Sequence, residues 1–532
     1  MPAGEKPRGL RIVAGLALAW LAVFAATAPW RVAGREMGRW SFALGVAALA
    51  LAVALAVRPG WRRALTAQFR REGPQLPRSG PWVAGALAAA FFGRLLAARW
   101  AALELNAWDL TLFFDRPIAE TLAGRLLYCD FYGRSYLGTH ASFLLFAFVP
   151  FYALVSTPLW LLAAQALAAA AAGVAGYLLF RRLTGDDLSG AFLAAAFWSN
   201  TYTAKAVQYA FHIEIFYPLA LFGLLAAFEA RRPALFAAAL VLALSIKEDA
   251  FLVLSGFAVT AAFVRRRPVW GACAFVAAVA VFVFDSRWVL PHFSGSAHPW
   301  YAFYWKSFGS TPLDAATSMA VHPMELAAAL SGSGLRDLFE PLLAFPLAGA
   351  EWLLAALPAL VPYAAADYAP LSHFLLYYSM PVLPMLFAAT AAALPRLAGL
   401  GRTAPGVAAR LLRQRLLALA ILLVCAFDGA GYSFPRRRLE RTEIAPLLAS
   451  LPSSVPVLIQ GALLPRAGYA SNRRPLDRDT PIGPHDAVLL DPAANPYPRS
   501  SQELEALVAR LSADPSRRLA RSPHGLLLFA PP

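Results

Sequence analysis

Residues 231–267 read "RRPALFAAALVLALSIKEDAFLVLSGFAVTAAFVRRR", and this stretch is the strongest indication of the fold. Lys247, Glu248 and Asp249 interrupt a run, 234–264, that is otherwise mostly apolar. Three charges at the centre of one membrane helix would cost roughly 8–10 kcal/mol on insertion scales. The arginines at both ends are best placed on the cytoplasmic side, so the stretch predicts a helical hairpin with its charges at the outer turn.

The two arms of this hairpin are short for a membrane. Each arm has about 14 residues, or about 21 Å of helix, whereas the hydrocarbon core is roughly 30 Å thick. We therefore expect the charged turn to lie recessed, beside protein or a wet cavity. Two interpretations stay open: a lysine–carboxylate cap that neutralises itself, or one wall of a functional cavity.

The composition of the whole chain is that of a membrane protein. Of its 532 residues, 59% are hydrophobic and only 15% are charged, against roughly 25% charged in soluble proteins. Lys and Arg outnumber Asp and Glu by 47 to 31, but the excess clusters in short loops between apolar runs, which is the positive-inside pattern. We therefore expect the chain to interact with membrane lipid and not with nucleic acid.

The predicted fold class is mainly α: a polytopic transmembrane helical bundle of about 13 helices, with the N-terminus inside and a small α/β extracytoplasmic domain at the C-terminus. The predicted crossings are 10–29, 41–57, 81–103, 159–180, 188–204, 215–229, 233–246, 250–264, 268–285, 338–349, 352–365, 374–393 and 416–432.

Three parts follow from this pattern. Residues 1–80 hold two extra helices and a basic cytoplasmic loop, and 81–432 form the main transmembrane domain. Its long outer loops are 104–158 and 286–337. The last part, 433–532, is far more polar, and its short apolar runs alternate with a helical pattern, which predicts the small α/β domain.

The outer loop 104–158 begins with acids among aromatic and aliphatic residues. Within it, "RPIAETLAGRLLY" and "ASFLLFAFVPFYAL" predict helices that lie in the membrane interface. Asp109 and Asp115 are six residues apart, so on one helix they would face different directions and need not cooperate. They are either interfacial loop carboxylates or groups that act as a general base or as metal ligands.

Two further clusters fall at outer turns. "AKAVQYAFHIEIFYP" carries Lys205, His212 and Glu214; an extended turn would aim His212 and Glu214 along one wall. "DYAPLSHFLLYYSMP" carries His373 among aromatic residues of the kind common at membrane interfaces. A solvated histidine is the simpler interpretation of the first cluster alone, and ordinary interfacial aromatic residues that of the second, although His373 is less expected there. All the clusters fall on the same predicted side.

At these residues the sequence resembles a bacterial family of multi-pass predicted membrane proteins in the GT-C glycosyltransferase superfamily. That superfamily includes protein O-mannosyltransferases and aminoarabinose transferases. The resemblance runs from about residue 104 to the end, with two extra helices ahead of it. The stretches that carry it are "WDLTLFF", "TLAGRLLY", "LGTHASFLLFAFVPFYAL", "FHIE", "IKEDAF" and "LLPRAGYASNRR".

The resemblance implies a glycosyltransferase of the bacterial cytoplasmic (inner) membrane, with its active site on the outer side. It would move a sugar from a polyprenyl-phosphate donor to an acceptor glycan, lipid or protein. By position Asp109 is the general base, and Asp115 is a second catalytic candidate. No cofactor is assigned, and a divalent metal stays open. The candidate residues for the donor and its phosphate are Lys205, His140, His212, Glu214, Lys247, Glu248, Asp249 and His373.

The first-loop pattern of the family is Asp-Leu-Gly-x-Phe-Asp-Gln, and this chain departs from it. Thr111 replaces the glycine, Phe114 replaces the second acid, and Asp115 stands one place late. These departures put a second acid in doubt and give more weight to Asp109.

Two other functions use the same charges. In a transporter or lipid flippase they would line a pathway, and in a non-catalytic envelope assembly protein the C-terminal domain would be a binding module. The charges cluster at outer turns and do not spread toward the midplane, which favours the enzyme over the transporter.

Overall fold

The computed structural model describes residues 76–295, 300–400, 407–427, 431–435, 444–451, 454–470, 472–522 and 525–531. The predicted crossings 10–29 and 41–57 lie outside these residues.

The described chain is mainly α-helical, as predicted. The helices of ten residues or more are Gly80–Ala101 (α1), Leu159–Thr184 (α2), Asp187–Ser199 (α3), Tyr217–Glu229 (α4), Pro233–Ile246 (α5), Ala250–Val259 (α6), Pro268–Phe284 (α7), Pro312–Val321 (α8), Ala350–Ala364 (α9), Leu383–Gly399 (α10), Val407–Phe427 (α11) and Ser501–Ser512 (α12).

Shorter helices lie between these. The α-helical ones are Ala107–Asp109, Arg116–Leu122, Val149–Leu154, Thr201–Tyr209, Leu290–Ser294, Pro323–Ser331, Leu335–Phe339, Ala369–Ser372, Ile444–Ala449 and Leu464–Ala467. The 3-10 turns are Tyr136–Gly138, Phe143–Phe148, Ile213–Phe216, Trp300–Trp305, Glu340–Leu342, Phe345–Ala348 and Gly461–Leu463. The π-helical turns are Leu110–Asp115, Thr260–Val264 and Asp285–Val289.

Three of the described helical stretches are long and apolar enough to cross a membrane: Gly80–Ala101, Leu159–Thr184 and Pro268–Ser294. Other predicted crossings form apolar helices of 10–17 residues, including both arms of the hairpin, Pro233–Ile246 and Ala250–Val264. These arms are shorter than the roughly 20 residues that span a bilayer, as the sequence indicated.

Three predicted crossings do not form as single helices. Residues 188–204 divide at Asn200, whose backbone is extended. Residues 338–349 break into short turns, because Leu343 and Ala344 take a left-handed backbone with φ of 53° and 54°, which ends an α-helix. Residues 374–382 are not helical either. Phe374 and Leu376 have φ of 54° and 58°, and the helix begins only at Leu383.

Helix α2 lies at the centre of the bundle and packs closely on α3. A Cβ atom on Gly173 would lie 2.1 Å from the Trp198 ring, so only glycine permits this approach. The buried Gln165 of α2 donates a hydrogen bond to the Val207 carbonyl at 2.8 Å. This bond holds the helix Thr201–Tyr209 against the core.

The C-terminal part of the chain contains a five-stranded mixed sheet. The strands are Tyr128–Cys129 (β1) and Arg134–Ser135 (β2) of a small hairpin, and Val457–Ile459 (β3), Arg473–Pro475 (β4), Ala487–Leu490 (β5), Arg518–Arg521 (β6) and Leu527–Ala530 (β7) of this sheet. The strand order of the sheet is β4-β3-β5-β7-β6, in which β3 is parallel to β4 and β5, while β7 is antiparallel to β5 and β6. Helix α12 begins with a capping box between Ser500 and Glu503, and its Leu504 packs on one face of the sheet.

The opposite face of this sheet packs on the segment that follows α1. Leu103, Trp108 and Leu112 share one buried apolar cluster with Val457 and Ile459 of β3. The Asn495 amide also donates a hydrogen bond to the Leu103 carbonyl at 3.1 Å. The C-terminal sheet therefore rests directly on the segment that carries Asp109.

Candidate functional site

Asp109 ends the first short helix after α1, and its carboxylate is buried, with 6% exposure. The Asn106 side chain caps this helix by accepting from the Asp109 amide and donates to the Tyr209 hydroxyl. That hydroxyl donates to Asp109 Oδ2 at 2.7 Å. Asn106 and Tyr209 therefore fix the orientation of the Asp109 carboxylate.

His212 faces the same carboxylate from the connection between α3 and α4. Its backbone is extended, with φ −139° and ψ 139°, and its Nδ1 lies 2.7 Å from Glu214 Oε2. Its Nε2 lies 3.7 Å from Asp109 Oδ2 and is buried without a hydrogen-bond partner in the described chain. The imidazole stacks on the Tyr377 ring, with centroids 3.4 Å apart. The ring is thus held so that Nε2 points toward Asp109.

Glu214 connects this pair to the charged hairpin turn. Lys247 Nζ lies 3.1 Å from Glu214 Oε1 and 3.9 Å from Asp249 Oδ2. Burial alone would raise the pKa of Glu214, but the positive charges of Lys247 and His212 outweigh burial and hold that pKa well below its usual range. Lys247 therefore pairs mainly with Glu214, in the connection between α3 and α4, and does more than neutralise the carboxylates of its own turn.

Burial disfavours the charged forms of Lys247 and His212, but nearby carboxylates reverse that effect. Glu214, followed by Asp249, raises the pKa of Lys247 well above its ordinary value. Glu214 and Asp109 together raise the pKa of His212. Both side chains therefore favour their cationic forms within this site.

These contacts make a continuous row of alternating acids and bases. We call it the acid–base row: Asp109, His212, Glu214, Lys247 and Asp249. Successive gaps are 3.7, 2.7, 3.1 and 3.9 Å. At its far end Asp249 accepts hydrogen bonds from the hydroxyls of Tyr217 and Tyr363. The charged turn lies beside protein, with Lys247 and Glu248 buried.

His140 and Glu248 form a second pair beside the row. His140 Nδ1 lies 2.8 Å from Glu248 Oε1, and the Ala141 amide donates to Glu248 Oε2 at 3.0 Å. Burial would raise the pKa of Glu248, but His140 and then Lys247 lower it. The pair ties the outer segment 104–158 to the hairpin turn.

Asp115 lies apart from the row, in contact with the C-terminal part of the chain. It is fully buried, and its Oδ1 accepts from the hydroxyls of Tyr152 at 2.7 Å and Tyr469 at 2.8 Å. Its Oδ2 is buried without a partner among the described residues. Burial raises the pKa of Asp115 to about 6, and the bonds from the two tyrosines only partly offset this. Its contacts are those of a group that joins two segments.

The structure does not bring Lys205 and His373 into the row. Lys205 is exposed, and its Nζ lies over the Tyr202 ring at 5.5 Å. His373 is partly buried and follows the short helix Ala369–Ser372. These two candidates lie outside the hydrogen-bonded network.

The C-terminal part of the chain reaches the neighbourhood of Asp109. A Cβ atom on Gly461 would lie 2.7 Å from the Tyr497 carbonyl and 3.2 Å from Trp108 Cβ. Burial and the nearby charge of Asp109 raise the pKa of Tyr497 to about 12. Tyr497, which is 45% exposed, therefore borders the site on its solvent side.

Sequence reasoning missed three of the groups that orient the charges. Asn106, Tyr217 and Tyr363 bond to acids of the row, yet tyrosines near membrane interfaces are common. Asn106 alone carried a local signal, because asparagine before a short helix is a frequent N-cap.

The metal left open by the sequence gains no ready site. Within the described ranges, no group of three or more His, Cys, Asp or Glu side chains is arranged to hold a metal ion.

A family model described as "Predicted membrane protein (DUF2079)" matches residues 99–438. The chain belongs to this family. The DUF2079 match covers the acid–base row completely, from Asp109 to Asp249, and ends ahead of the sheet strands β3–β7. The row is therefore part of the DUF2079 region itself.

Two crystal structures of ArnT from Cupriavidus metallidurans are also similar to this DUF2079 chain. The one bound to undecaprenyl phosphate has a TM-score of 0.46 and 14% identity, covering 86% of this chain and 100% of that chain. The apo structure has a TM-score of 0.45 and 14% identity, covering 85% and 99%. Likenesses at this level do not say what the present chain does. No curated protein sequence matches it.

Proposed function

We propose that the chain is a membrane glycosyltransferase that moves a sugar from a polyprenyl-phosphate donor to an acceptor, with Asp109 as general base. One observation carries the proposal: Asp109 is buried, oriented by Tyr209, and faced by the unpartnered Nε2 of His212. An oriented carboxylate at hydrogen-bond reach of a substrate is what general-base catalysis requires. The resemblance of "WDLTLFF" to the first loop of GT-C enzymes supports the same role.

In the proposed reaction, Asp109 accepts the proton of the acceptor hydroxyl as its oxygen attacks the anomeric carbon. The bond from that carbon to the phosphate oxygen breaks, and the polyprenyl phosphate leaves with the bonding pair. Positive groups near the leaving oxygen would lower the barrier by stabilising its charge. His212 Nε2 and Lys247 Nζ are the candidates for this role inside the row.

The charge of the row limits how a phosphate binds. Asp109, Glu214 and Asp249 oppose His212 and Lys247, so the row has one more acid than base even when His212 is protonated. This balance suits a base better than a preformed phosphate site. We therefore propose that the phosphate approaches from outside the row, where Lys205 and His373 are further candidates.

We also propose that the chain divides into three parts. Residues 81–432 would form a GT-C-like transmembrane domain, with the row on its extracytoplasmic side. Residues 433–532 would form an α/β domain above the row, and Tyr497 beside Asp109 would contact the acceptor. Residues 1–80 would add two helices and a basic cytoplasmic loop.

A second candidate function is a proton-coupled transporter. The acid–base row favours it, because chains of buried acids and bases carry protons in transporters. In that case Asp109 would load and unload a proton and no bond of the substrate would break.

The experiment measures loss of sugar from a panel of polyprenyl-phosphate sugars by purified protein in nanodiscs. The unmodified protein is compared with Asp109→Asn, and with Asp130→Asn as a control from the same loop. We expect turnover of one donor that Asp109→Asn loses and Asp130→Asn keeps, with donor binding retained in both. Equal donor binding with no turnover in any protein would favour the transporter.

A further inference from the structure

Two arginine-rich connections border an open cavity at the ends of α4 and α5 that lie opposite to the acid–base row. One connects α4 to α5 and carries Arg231; the other connects α6 to α7 and carries Arg267. The cavity has a volume of about 280 Å³ and is lined by Arg231, Arg267, Pro268, Val269 and Trp270.

The acid nearest these connections is already paired. Arg265 Nη2 lies 2.7 Å from Glu229 Oε1 and 2.8 Å from Oε2. Glu229 is thus neutralised by an arginine that does not line the cavity. The charge that the cavity presents is that of Arg231 and Arg267, so its ligand should be an anion.

Arg267 is held in place and keeps capacity for such a ligand. Its Nη1 donates to the Phe228 carbonyl at 2.6 Å, and its guanidinium lies 4.6 Å from the Phe228 ring centroid. A guanidinium has five N–H donors, so this single bond leaves others for a phosphate, which arginine binds well. A positioned arginine binds an anion with little loss of side-chain freedom.

The rest of the cavity wall is apolar and continues along the helices. Val269 is 71% exposed at the start of α7, and Leu235 on α5 and Val276 on α7 are exposed as well. Trp270 lies on the cavity wall and packs edge-on against Phe236, with centroids 4.9 Å apart. An inorganic anion would gain no binding energy from this apolar surface, whereas an acyl chain would bury part of its own apolar surface against it.

We infer that this cavity binds the head group of an anionic phospholipid. Its phosphate contacts Arg231 and Arg267, and its acyl chain lies along Val269 and the exposed sides of α5 and α7. Basic pockets between membrane helices bind anionic head groups in this way. The site uses none of the groups of the acid–base row, so it does not depend on the proposed transferase.

The test is titration of the purified, delipidated full-length protein with dioleoyl-phosphatidylglycerol, dioleoyl-phosphatidylcholine or inorganic phosphate, followed by native mass spectrometry. We expect one tight phosphatidylglycerol site, with phosphatidylcholine and phosphate at least tenfold weaker. Phosphatidylcholine binding as tightly would overturn the anionic preference, and phosphate binding as tightly would replace the lipid by a free anion.

The chain offers a matched control for the arginines. Arg231 and Arg266 are both exposed and both have left-handed backbones, with φ of 54° and 52°, but only Arg231 lines the cavity. We expect Arg231→Gln to weaken phosphatidylglycerol binding about fivefold and Arg266→Gln to leave it nearly unchanged. Equal weakening by the two variants would show general surface charge and overturn the site.

Trp270 reports the place of binding directly. Phosphatidylglycerol with brominated acyl chains should quench part of the tryptophan fluorescence, and this part should vanish in Trp270→Phe. Unchanged quenching in that variant would move the acyl chain away from the cavity and contradict the inference.

Discussion

Lys247 Nζ lies 3.1 Å from Glu214 Oε1 and joins two turns that are 33 residues apart. Both side chains are buried, and each neutralises the charge of the other in a region where an unpaired ion is costly. The pair is the third of the four contacts in the acid–base row, and it holds the hairpin turn against the connection that carries His212.

Removing the lysine should destabilise the protein. In Lys247→Met, Glu214 keeps its buried charge and loses its main partner, so the free energy of unfolding should fall by about 3–5 kcal/mol. Adding Glu214→Gln should recover part of this loss. The measurement is denaturant unfolding in micelles, with Arg478→Met as the control. Arg478 forms an exposed pair with Glu503 at 3.3 Å, and its loss should cost less than about 1 kcal/mol.

Tyr209→Phe should impair turnover of the donor found by the panel. The variant removes the hydroxyl that bonds Asp109 Oδ2, and a bond to a charged group contributes about 1.5–3 kcal/mol. We expect kcat/KM to fall roughly 10–100-fold while donor affinity changes little. Tyr432→Phe is the matched control, since its buried hydroxyl bonds the Trp198 carbonyl. Equal losses in the two variants would contradict a role through Asp109.

Asp115 should make stability depend on acidic pH. Its pKa is raised from 3.8 to about 6, so the folded state prefers the protonated acid. Its contribution to stability is complete below pH 3.8 and is lost as pH rises to about 6, by on the order of 2–3 kcal/mol. Asp115→Asn keeps an oxygen acceptor for Tyr152 and Tyr469 and should lack this loss. Thermal unfolding of both proteins from pH 4 to 8 tests it, and parallel curves would count against it.

His212 should give a separate dependence at higher pH. Its pKa is raised above 6.5, so the cation stabilises the folded state. This stabilisation is complete below pH 6.5 and is lost as pH rises through the higher folded-state pKa. Melting curves between pH 6 and 10 should therefore fall more steeply for the unmodified protein than for His212→Asn. His322→Asn, at an exposed histidine bonded to Ser318, should behave like the unmodified protein.

Gly461→Ala should loosen the C-terminal sheet from the segment that carries Asp109. The added Cβ would lie 3.2 Å from Trp108 Cβ in that segment and 2.7 Å from the Tyr497 carbonyl, and the required shift should cost about 1–3 kcal/mol. We expect faster limited proteolysis within 433–532. Gly431→Ala is the control, because nothing lies within 4 Å of its added Cβ. Identical cleavage rates would show that the contact at Gly461 adjusts freely.

The sequence predicted the parts of the fold that depend on local pattern. The hairpin around Lys247 followed from two apolar arms and the cost of three charges in lipid, and the helices Pro233–Ile246 and Ala250–Val259 are there. The same reasoning failed for residues 338–349, which do not form a single helix. Their hydrophobicity was sufficient, but left-handed backbones at Leu343 and Ala344 are tertiary features that hydropathy does not record.

The sequence predicted which residues belong to the site, but it predicted few of the contacts between them. The spacing of His212 and Glu214 indicated one wall on an extended turn, and the two side chains do meet at 2.7 Å. The contact of Glu214 with Lys247 depends on how two distant turns pack, which no local period reveals. The same holds for Asp115, whose partner Tyr469 lies 354 residues away.

The π-helical turn Leu110–Asp115 bears on how the first loop should be aligned with its relatives. A π-helical turn holds one more residue than an α-helical turn, so it absorbs a single-residue insertion while the helix on either side keeps its direction. Asp115 then takes the angular position that residue 114 would have in an uninterrupted helix. The turn therefore predicts a one-residue gap in an alignment of this loop, which would bring Asp115 level with the second acid of the first-loop pattern that the sequence resembles.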